Sequence, residues 1–488
     1  MKVRTLPGMA LSKYRSLPAA AKVSFWFIVC SVFQKGLSFL TTPIFTRIMT
    51  TEHFGQFTLY NSWINIICIF TTLNLQYGSF NTAQVKFPDD RKTYTSSIQG
   101  LVLLLSGGAL VLTAVLGKYF SAFSGFPLWI LLLMIVHINS RFNTELWMAN
   151  CRFDYRYKGM TIVILLSCIL AQVICLWWAI TAAEKGYMRI AALALVEIGF
   201  GVAIGIYNHR KGHKIFHKTY WKYALGFNLP LIPYYLSQTV FSMSDRIMID
   251  KLVDTETAGV YGLAHTIALL LVFVVTAIRN SYTPWFFKHL KSGETQDVIK
   301  INTLITGAIG LILLAFVFVA PELLKLMGGP AYYEAVWIIP PLVTGVLFEF
   351  FTDPACNVLF YFEKKGSLVA ATIGCAVFNI ALNYIGILWF GYMATAYVTL
   401  LSYILFWLFL HVSAKRICKK KNYPGKTVLP LRNQCFIGGA FLLLAAGCMV
   451  LYRYWYIRYG ICLVALIVLA INYKKVIALG KKLLAIRK

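Results

Sequence analysis

Acidic residues are scarce in this sequence. Only 18 Asp and Glu stand against 46 Lys and Arg, and charged residues of both signs make up 13% of the chain. An ordinary soluble domain carries roughly 25% charged residues, so a soluble surface is excluded at the outset. Metal and redox patterns are missing as well. The 11 cysteines are scattered, mostly inside apolar runs, with no CxxC spacing, so neither a disulfide framework nor a zinc site is expected. There is no HExxH motif, and at Gly425-Lys426-Thr427 a lysine, Lys420, stands where a phosphate-binding loop requires glycine. An ATP-driven pump in one chain is therefore not expected. Asp89-Asp90 is a lone acidic pair, read as solvated. No loop is long enough for a soluble catalytic domain, and no linker or low-complexity tract divides the chain.

What is present is apolar length. Hydrophobic residues make up 59% of the 488 positions. About fourteen segments approach the ~20 residues that cross a bilayer. They lie near 22–48, 55–78, 96–117, 127–149, 159–182, 187–207, 223–250, 257–281, 298–320, 334–359, 366–389, 391–412, 434–452 and 455–473. The net charge of +28 resembles a nucleic-acid signal, but the basic residues sit in short loops between apolar runs. With the N-terminus inside, most Lys and Arg fall on the cytoplasmic side. Arg47, Lys118, Lys185, Arg189, Lys251, Lys325, Arg453 and Arg458 fall on the other, and Lys35, Arg141, Arg246 and Arg279 stay within the membrane. That asymmetry orients a multi-pass protein with both termini cytoplasmic and no nucleic-acid partner. The basic N-terminus is followed by no small-residue cleavage site after a short apolar core, so the first helix is expected to remain as an anchor.

The chain also repeats itself. Between Gln34 and Tyr60 it reads QKGLSFLTTPIFTRIMTTEHFGQFTLY, and a shift of 204 positions places Gln34 on Gln238 and Ser38 on Ser242. The same shift places Thr51-Glu52 on Thr255-Glu256, Gly55 on Gly259, Phe57 on Tyr261 and Leu59 on Leu263. Two equivalent halves follow. Six helices separate the copies, so both halves enter the membrane in the same sense, as parallel repeats suited to rocking-bundle transport. The expected organisation is a cytoplasmic segment at 1–21, a six-helix bundle at 22–207, a basic linker at 208–222, a second bundle at 223–412, a basic loop at 413–433, two further helices at 434–473 and a basic tail at 474–488.

Polar groups inside the spans are the functional candidates, because a charge in a bilayer is costly. Lys35, Arg141, Glu197, Asp245-Arg246, Arg279, Glu349 and Asp353 qualify by position. Blander readings stand beside each. Arg279 is expected to snorkel to the interface. Arg246 either snorkels or pairs with Asp245. Arg141 and Glu145, four apart on one helix, can neutralise each other. Lys35 and Glu197 lack a partner in their own helices and can pair together. Asn228, Tyr234, Tyr235, Gln238, His137, Asn139, Trp147 and Gln172 add polar and aromatic groups of the kind that packs on sugar faces.

The run LPLIPYYLSQTVFSMSDRIMI, continued by TAGVYGLAH, resembles the seventh and eighth helices of bacterial polysaccharide flippases. CRFDYRYKG, GGPAYYEAVWIIPPL and FNIALNYIGILWFGYMATAYVTLLSY agree with it, so the resemblance covers most of residues 20–412. These flippases belong to the multidrug/oligosaccharidyl-lipid/polysaccharide exporter superfamily. The resemblance implies an all-α transporter of the bacterial cytoplasmic (inner) membrane. Two six-helix bundles would form a V, with two C-terminal helices added. It would flip polyprenyl-pyrophosphate-linked oligosaccharide by alternating access, alongside membrane lipids and other polysaccharide-assembly proteins, without covalent catalysis.

By the same resemblance the substrate cavity would hold Lys35 and Arg141 against the pyrophosphate, with Arg279 third, and Gln34 and Gln238 beside them. No cofactor is implied. Coupling falls to sodium or to protons, with Glu197 and Asp245 as candidates. Similar transporters place a sodium site in the second half. Here it would fall on Asp245, Asn379, Asn383, Thr395 and Thr399, although Asn383 stands where an acidic residue is often found. Asn379 and Asn383, like Thr395 and Thr399, are four apart and share a helix face. A cation-coupled multidrug antiporter of the same fold and a flippase for lipid-linked peptidoglycan precursors are the alternatives. A membrane enzyme acting on lipid-linked sugars is a third, but it would need an external loop with an acid or metal motif.

Overall fold

A computed structural model of the chain describes residues 18–461, apart from 294 and 296. The expected cytoplasmic segment at 1–21 lies almost wholly outside that range, as do the tail at 474–488 and most of the span at 455–473, of which only 455–461 is described.

The described residues form helices, as the bilayer requires of a chain whose backbone groups must all be paired internally. The first unit contains α1 (Ala19–Ile48), α2 (Thr51–Thr72), α3 (Ser79–Lys86), α4 (Arg91–Ser124), α5 (Leu128–Phe153), α6 (Tyr157–Thr181), α7 (Lys185–Gly212) and α8 (Lys218–Asn228). A 3₁₀ turn, Leu229–Leu231, leads into α9 (Ile232–Leu252). The second unit follows with α10 (Thr255–Ser292), α11 (Val298–Phe318), α12 (Ala320–Met327), a 3₁₀ stretch Pro330–Trp337, α13 (Ile339–Phe351) and α14 (Asp353–Tyr361). It is completed by α15 (Lys365–Phe390), α16 (Ala394–Lys420), the short α17 (Gly425–Val428) and α18 (Leu431–Leu451). The two compact units are Met1–Thr239 and Val240–Lys488.

Among the described residues, ten helices are long and apolar enough to cross a membrane. Two further expected spans are helical but more polar. They are α2 and α5, and α5 carries His137, Asn139, Arg141, Asn143, Glu145 and Asn150. The expected continuous span at 223–250 is instead broken at Leu229–Leu231. Pro230 and Pro233 explain the break, since each lacks the N–H that would carry an α-helix onward. The span at 334–359 likewise divides between α13 and α14, with Pro354 just past the junction.

The repeat recurs in helix boundaries. α1 ends at Ile48 and α9 at Leu252; α2 begins at Thr51 and α10 at Thr255. The caps match too, with Thr50 accepting from the His53 N–H at 3.2 Å and Asp254 from the Thr257 N–H at 2.6 Å. Each satisfies one otherwise orphaned helix donor.

In the first unit α8 is tied to its neighbours by side chains. Asn228 donates to the Leu73 carbonyl at 2.9 Å and accepts from the Ser79 N–H at 3.2 Å. It thereby braces the left-handed turn at Leu73 (φ 50) and Asn74 (φ 49) that ends α2. Tyr220 donates to Asp90 at 2.7 Å, so Asp90 is not the freely solvated acid expected from its loop position. Arg189, near the N-terminal end of α7, is buried between the rings of Phe45 and Phe57, at 3.7 and 3.8 Å from their centroids.

In the second unit α18 is built into the core. Gln434 accepts from Trp407 Nε1 at 2.9 Å and donates to the Phe351 carbonyl at 3.1 Å, and Asn433 donates to Thr303 at 2.7 Å. At the end of the unit expected to be external, Arg458 grips both oxygens of Glu322 at 2.5 and 2.8 Å. Burial pushes the Glu322 carboxyl up, but the Arg458 hydrogen bonds outweigh it and hold it below its ordinary range. The stabilisation is thus present above the unfolded carboxyl value of about 4.3 and disappears as pH falls through the lowered folded value. The difference in melting temperature between the wild type and Glu322→Gln should be clear at neutral pH and close under acid. A difference that persists to about pH 3 would contradict this reading.

Candidate functional site

The first unit places a polar stripe on α5. His137, Arg141 and Glu145 are spaced four apart, so they share one helix face. α7 comes close enough to meet that face because Gly201 and Gly205 lie in the seam. A Cβ on Gly201 would stand 2.3 Å from the Ser140 carbonyl oxygen, and one on Gly205 would stand 2.7 Å from Asn143 Nδ2. Small residues that admit close backbone approach are the usual device at membrane helix interfaces.

Across the seam, Glu197 of α7 meets His137 and Arg141. His137 Nε2 lies 2.8 Å from Glu197 Oε2, and Arg141 Nε lies 3.8 Å from the same oxygen. On the far side of the ring, Tyr60 of α2 lies 2.8 Å from His137 Nδ1. A neutral imidazole satisfies both contacts, with Nε2–H donating to the carboxylate and Nδ1 accepting from the Tyr60 hydroxyl. His137 is sealed, at 2% side-chain exposure, whereas Arg141 is 42% exposed and Glu197 36%. One end of the chain of contacts is therefore buried and the other opens to space. Glu145 Oε2 is buried with no hydrogen-bond partner among the described residues.

These contacts change the pairings expected from sequence. Arg141 makes its ion pair with Glu197, and Glu145 is not its counter-ion within contact distance. Glu197 is taken by His137 and Arg141, which leaves no role for a Lys35–Glu197 pair. Lys35 and Gln34 are exposed on α1 and do not join the cluster; Gln238 is exposed on α9. Gln172 accepts from Thr41 at 2.9 Å and ties α6 to α1.

The second unit holds two clusters. Arg279 of α10 donates to Asp353 at 2.8 Å and to Glu349 at 3.1 Å. It therefore does not snorkel. The junction of α13 and α14 delivers two carboxylates to it, and a paired guanidinium is the cheaper state inside a bilayer. In the other cluster Asp245 of α9 is buried and accepts from Asn383 Nδ2 at 2.7 Å, Tyr261 at 2.7 Å and Thr399 at 2.8 Å. Asn383 also donates to Asn379 Oδ1 at 3.1 Å, and Asn379 donates to Ser402 at 3.3 Å. Thr395 bonds the Tyr392 carbonyl of its own chain segment instead. Four of the five expected oxygen donors thus meet, joined by Tyr261 and Ser402. Among the described residues no group of three or more His, Cys, Asp or Glu could hold a metal ion.

Sequence reasoning missed Tyr60, His137 and Tyr261 as members of charge networks. The signals were slight. His137 stands one turn before Arg141, and Tyr261 is the repeat partner of Phe57, so the second half gains a hydroxyl there.

Comparisons with known proteins bear on what such networks serve. Residues 20–290 match the family described as polysaccharide biosynthesis protein. The Lsg locus protein 1 of Haemophilus influenzae is 21% identical over 289 residues, which cover 55% of this chain and 66% of that protein. The match thus spans just under two thirds of that relative. The lipid II flippase MurJ, in an inward closed conformation, aligns with a TM-score of 0.62 at 13% identity, covering 89% of this chain and 99% of that one. An inward-facing multidrug resistance MATE family transporter of the MOP superfamily aligns with a TM-score of 0.58 at 13% identity, covering 80% and 96%. At such identities the likeness is one of fold alone. The family match takes in more than half of the sequence, and the chain belongs to the polysaccharide biosynthesis protein family.

Proposed function

We propose that this protein flips a polyprenyl-pyrophosphate-linked oligosaccharide across the bacterial cytoplasmic membrane by alternating access, for polysaccharide export, with no covalent step. The observation that carries the reading is Arg141. It is a half-exposed guanidinium midway along a membrane-length helix. Lipid does not tolerate that arrangement, so the group faces water or ligand. A guanidinium so placed suits a phosphate, which it can bind through paired charge-assisted hydrogen bonds. Lys35 supplies a second exposed cation on α1, while the glycolipid tail stays in lipid.

The antiporter alternative needs acids free to meet a cationic substrate. Three of the acids that would serve it are committed instead, Glu197 to His137 and Arg141, Glu349 and Asp353 to Arg279. A flippase for peptidoglycan precursors shares the pyrophosphate chemistry and differs in the head group carried. Binding separates the first two. Purified protein in nanodiscs should bind undecaprenyl pyrophosphate and ignore ethidium, and Arg141→Ala should lose the binding. Ethidium binding without pyrophosphate binding would support the antiporter.

Sodium coupling fits the Asp245 cluster. Asn383 Oδ1 is buried and without a hydrogen-bond partner among the described residues, an oxygen that a hard monovalent cation would satisfy together with the Asp245 carboxylate and Asn379. The asymmetry of basic residues between loops supports cytoplasmic termini. A cysteine-reactive, membrane-impermeant label on intact cells should reach a cysteine introduced near Glu322 and miss one introduced after Lys421. The opposite pattern would invert the orientation.

A further inference from the structure

Arg141 is already occupied by a carboxylate. A pyrophosphate arriving there meets Glu197 on the same guanidinium and Glu145 one turn along α5. Like charges on one guanidinium repel, so an anion takes Arg141 most readily if the site sheds negative charge as it binds. Resting on the flippase reading above, we propose that the His137–Glu197 pair is a proton site that gates Arg141. The pair takes up one proton as the pyrophosphate displaces Glu197 from the guanidinium.

The geometry suits that exchange. The Tyr60–His137–Glu197 chain can hold one more proton, at the cost of the acceptor of the buried Tyr60 hydroxyl. With one proton added, Nε2–H still donates to Glu197, while Nδ1–H donates to the Tyr60 oxygen, whose own hydrogen turns away. The imidazolium then claims the carboxylate that Arg141 has released, so no charge is left alone. The proton need not cross the sealed ring to arrive, because Glu197 is 36% exposed, and a carboxylate exposed within a span is stable only where it faces water or protein rather than lipid. The contact to be broken is the longer one, 3.8 Å against the 2.8 Å of His137 to Glu197.

Other groups facing Glu197 do not replace this one. α5 brings His137, Arg141 and Glu145; α2 brings Tyr60; α6 brings Cys168 and Cys175. α4, which also packs on α7, carries charge only at Arg91, Lys92 and Lys118, towards its ends. Among these, only the imidazole touches both the carboxylate and a further hydrogen-bonding partner.

By linkage, substrate and proton strengthen each other's binding. Calorimetry tests this on the full chain in sodium-free nanodiscs with undecaprenyl pyrophosphate as the probe. Titrations in two buffers of different ionisation enthalpy count the protons taken up. The wild type should take up about one proton more than Glu197→Gln near neutral pH. Its affinity should weaken as pH rises, by at most about tenfold per unit. The uptake left in Glu197→Gln is the ligand's own. His137→Gln, which keeps a hydrogen-bonding group between Tyr60 and Glu197 without a titrating ring, should show the same loss should the first variant not fold. Equal uptake in wild type and variants would overturn the proton site while leaving Arg141 as the anion site. A wild type that does not bind the probe, or an Arg141→Ala variant that binds it undiminished, would remove the anion site itself and the proton site with it.

Discussion

Arg141→Ala is expected to reduce export of the lipid-linked glycan about 30-fold or more while the protein stays in the membrane. Removing one partner of a charge pair that substrate binding desolvates costs about 2–5 kcal/mol, and each 1.4 kcal/mol is about tenfold in affinity. The fold should survive because Glu197 keeps its 2.8 Å contact with His137. Arg141→Lys should fall between, since an ammonium retains the charge and loses the planar fork. Polymer at the cell surface, read against membrane abundance of each variant, measures the effect. Normal export by abundant Arg141→Ala protein would show that the guanidinium does not meet the substrate.

The second large effect is structural. Asp245→Ala should lower stability by about 3–5 kcal/mol, the usual result of breaking a buried charged network. Tyr261, Asn383 and Thr399 all donate to that carboxylate. Without it three buried donors lose their acceptor, each a penalty of about 1–3 kcal/mol before relaxation. The variant should therefore be scarce in the membrane or melt early. Asp245→Asn retains one acceptor and should fold. Combined with Asn379→Ala, it should weaken any dependence of transport on sodium. Full abundance and an unshifted melting curve for Asp245→Ala would mean that the network contributes little. Transport that runs at full rate without sodium but collapses with the proton gradient would retire the sodium site.

Much of this was legible in the chain before any coordinates. The 204-residue shift carries Ile48 onto Leu252 and Thr51 onto Thr255, where the matching helices end and begin, although the apolar segments themselves put the last three of these boundaries two to four residues away, at 250, 55 and 257. The oxygen donors around Asp245 were largely legible too, since residues four apart on one helix share a face. What stayed hidden depended on partners far apart in sequence. Nothing near Glu197 announces His137, 60 positions away, because the meeting depends on glycines in α7 admitting the backbone of α5. Arg279 looked like an interfacial snorkel because its two carboxylates arrive from a junction 70 and 74 residues on. The break at Leu229–Leu231 was readable from Pro230 and Pro233 but was masked by the apolar run around them.

Translocation itself is the most direct test of the flippase reading. Proteoliposomes carrying undecaprenyl-pyrophosphate-linked oligosaccharide in both leaflets can be challenged with a membrane-impermeant glycosidase. With the wild type present, glycan from the inner leaflet should become accessible over time. Liposomes holding Arg141→Ala or no protein should keep that pool protected. A wild type that leaves the inner pool protected at every pH and sodium concentration, or that moves ethidium instead, would contradict the assignment.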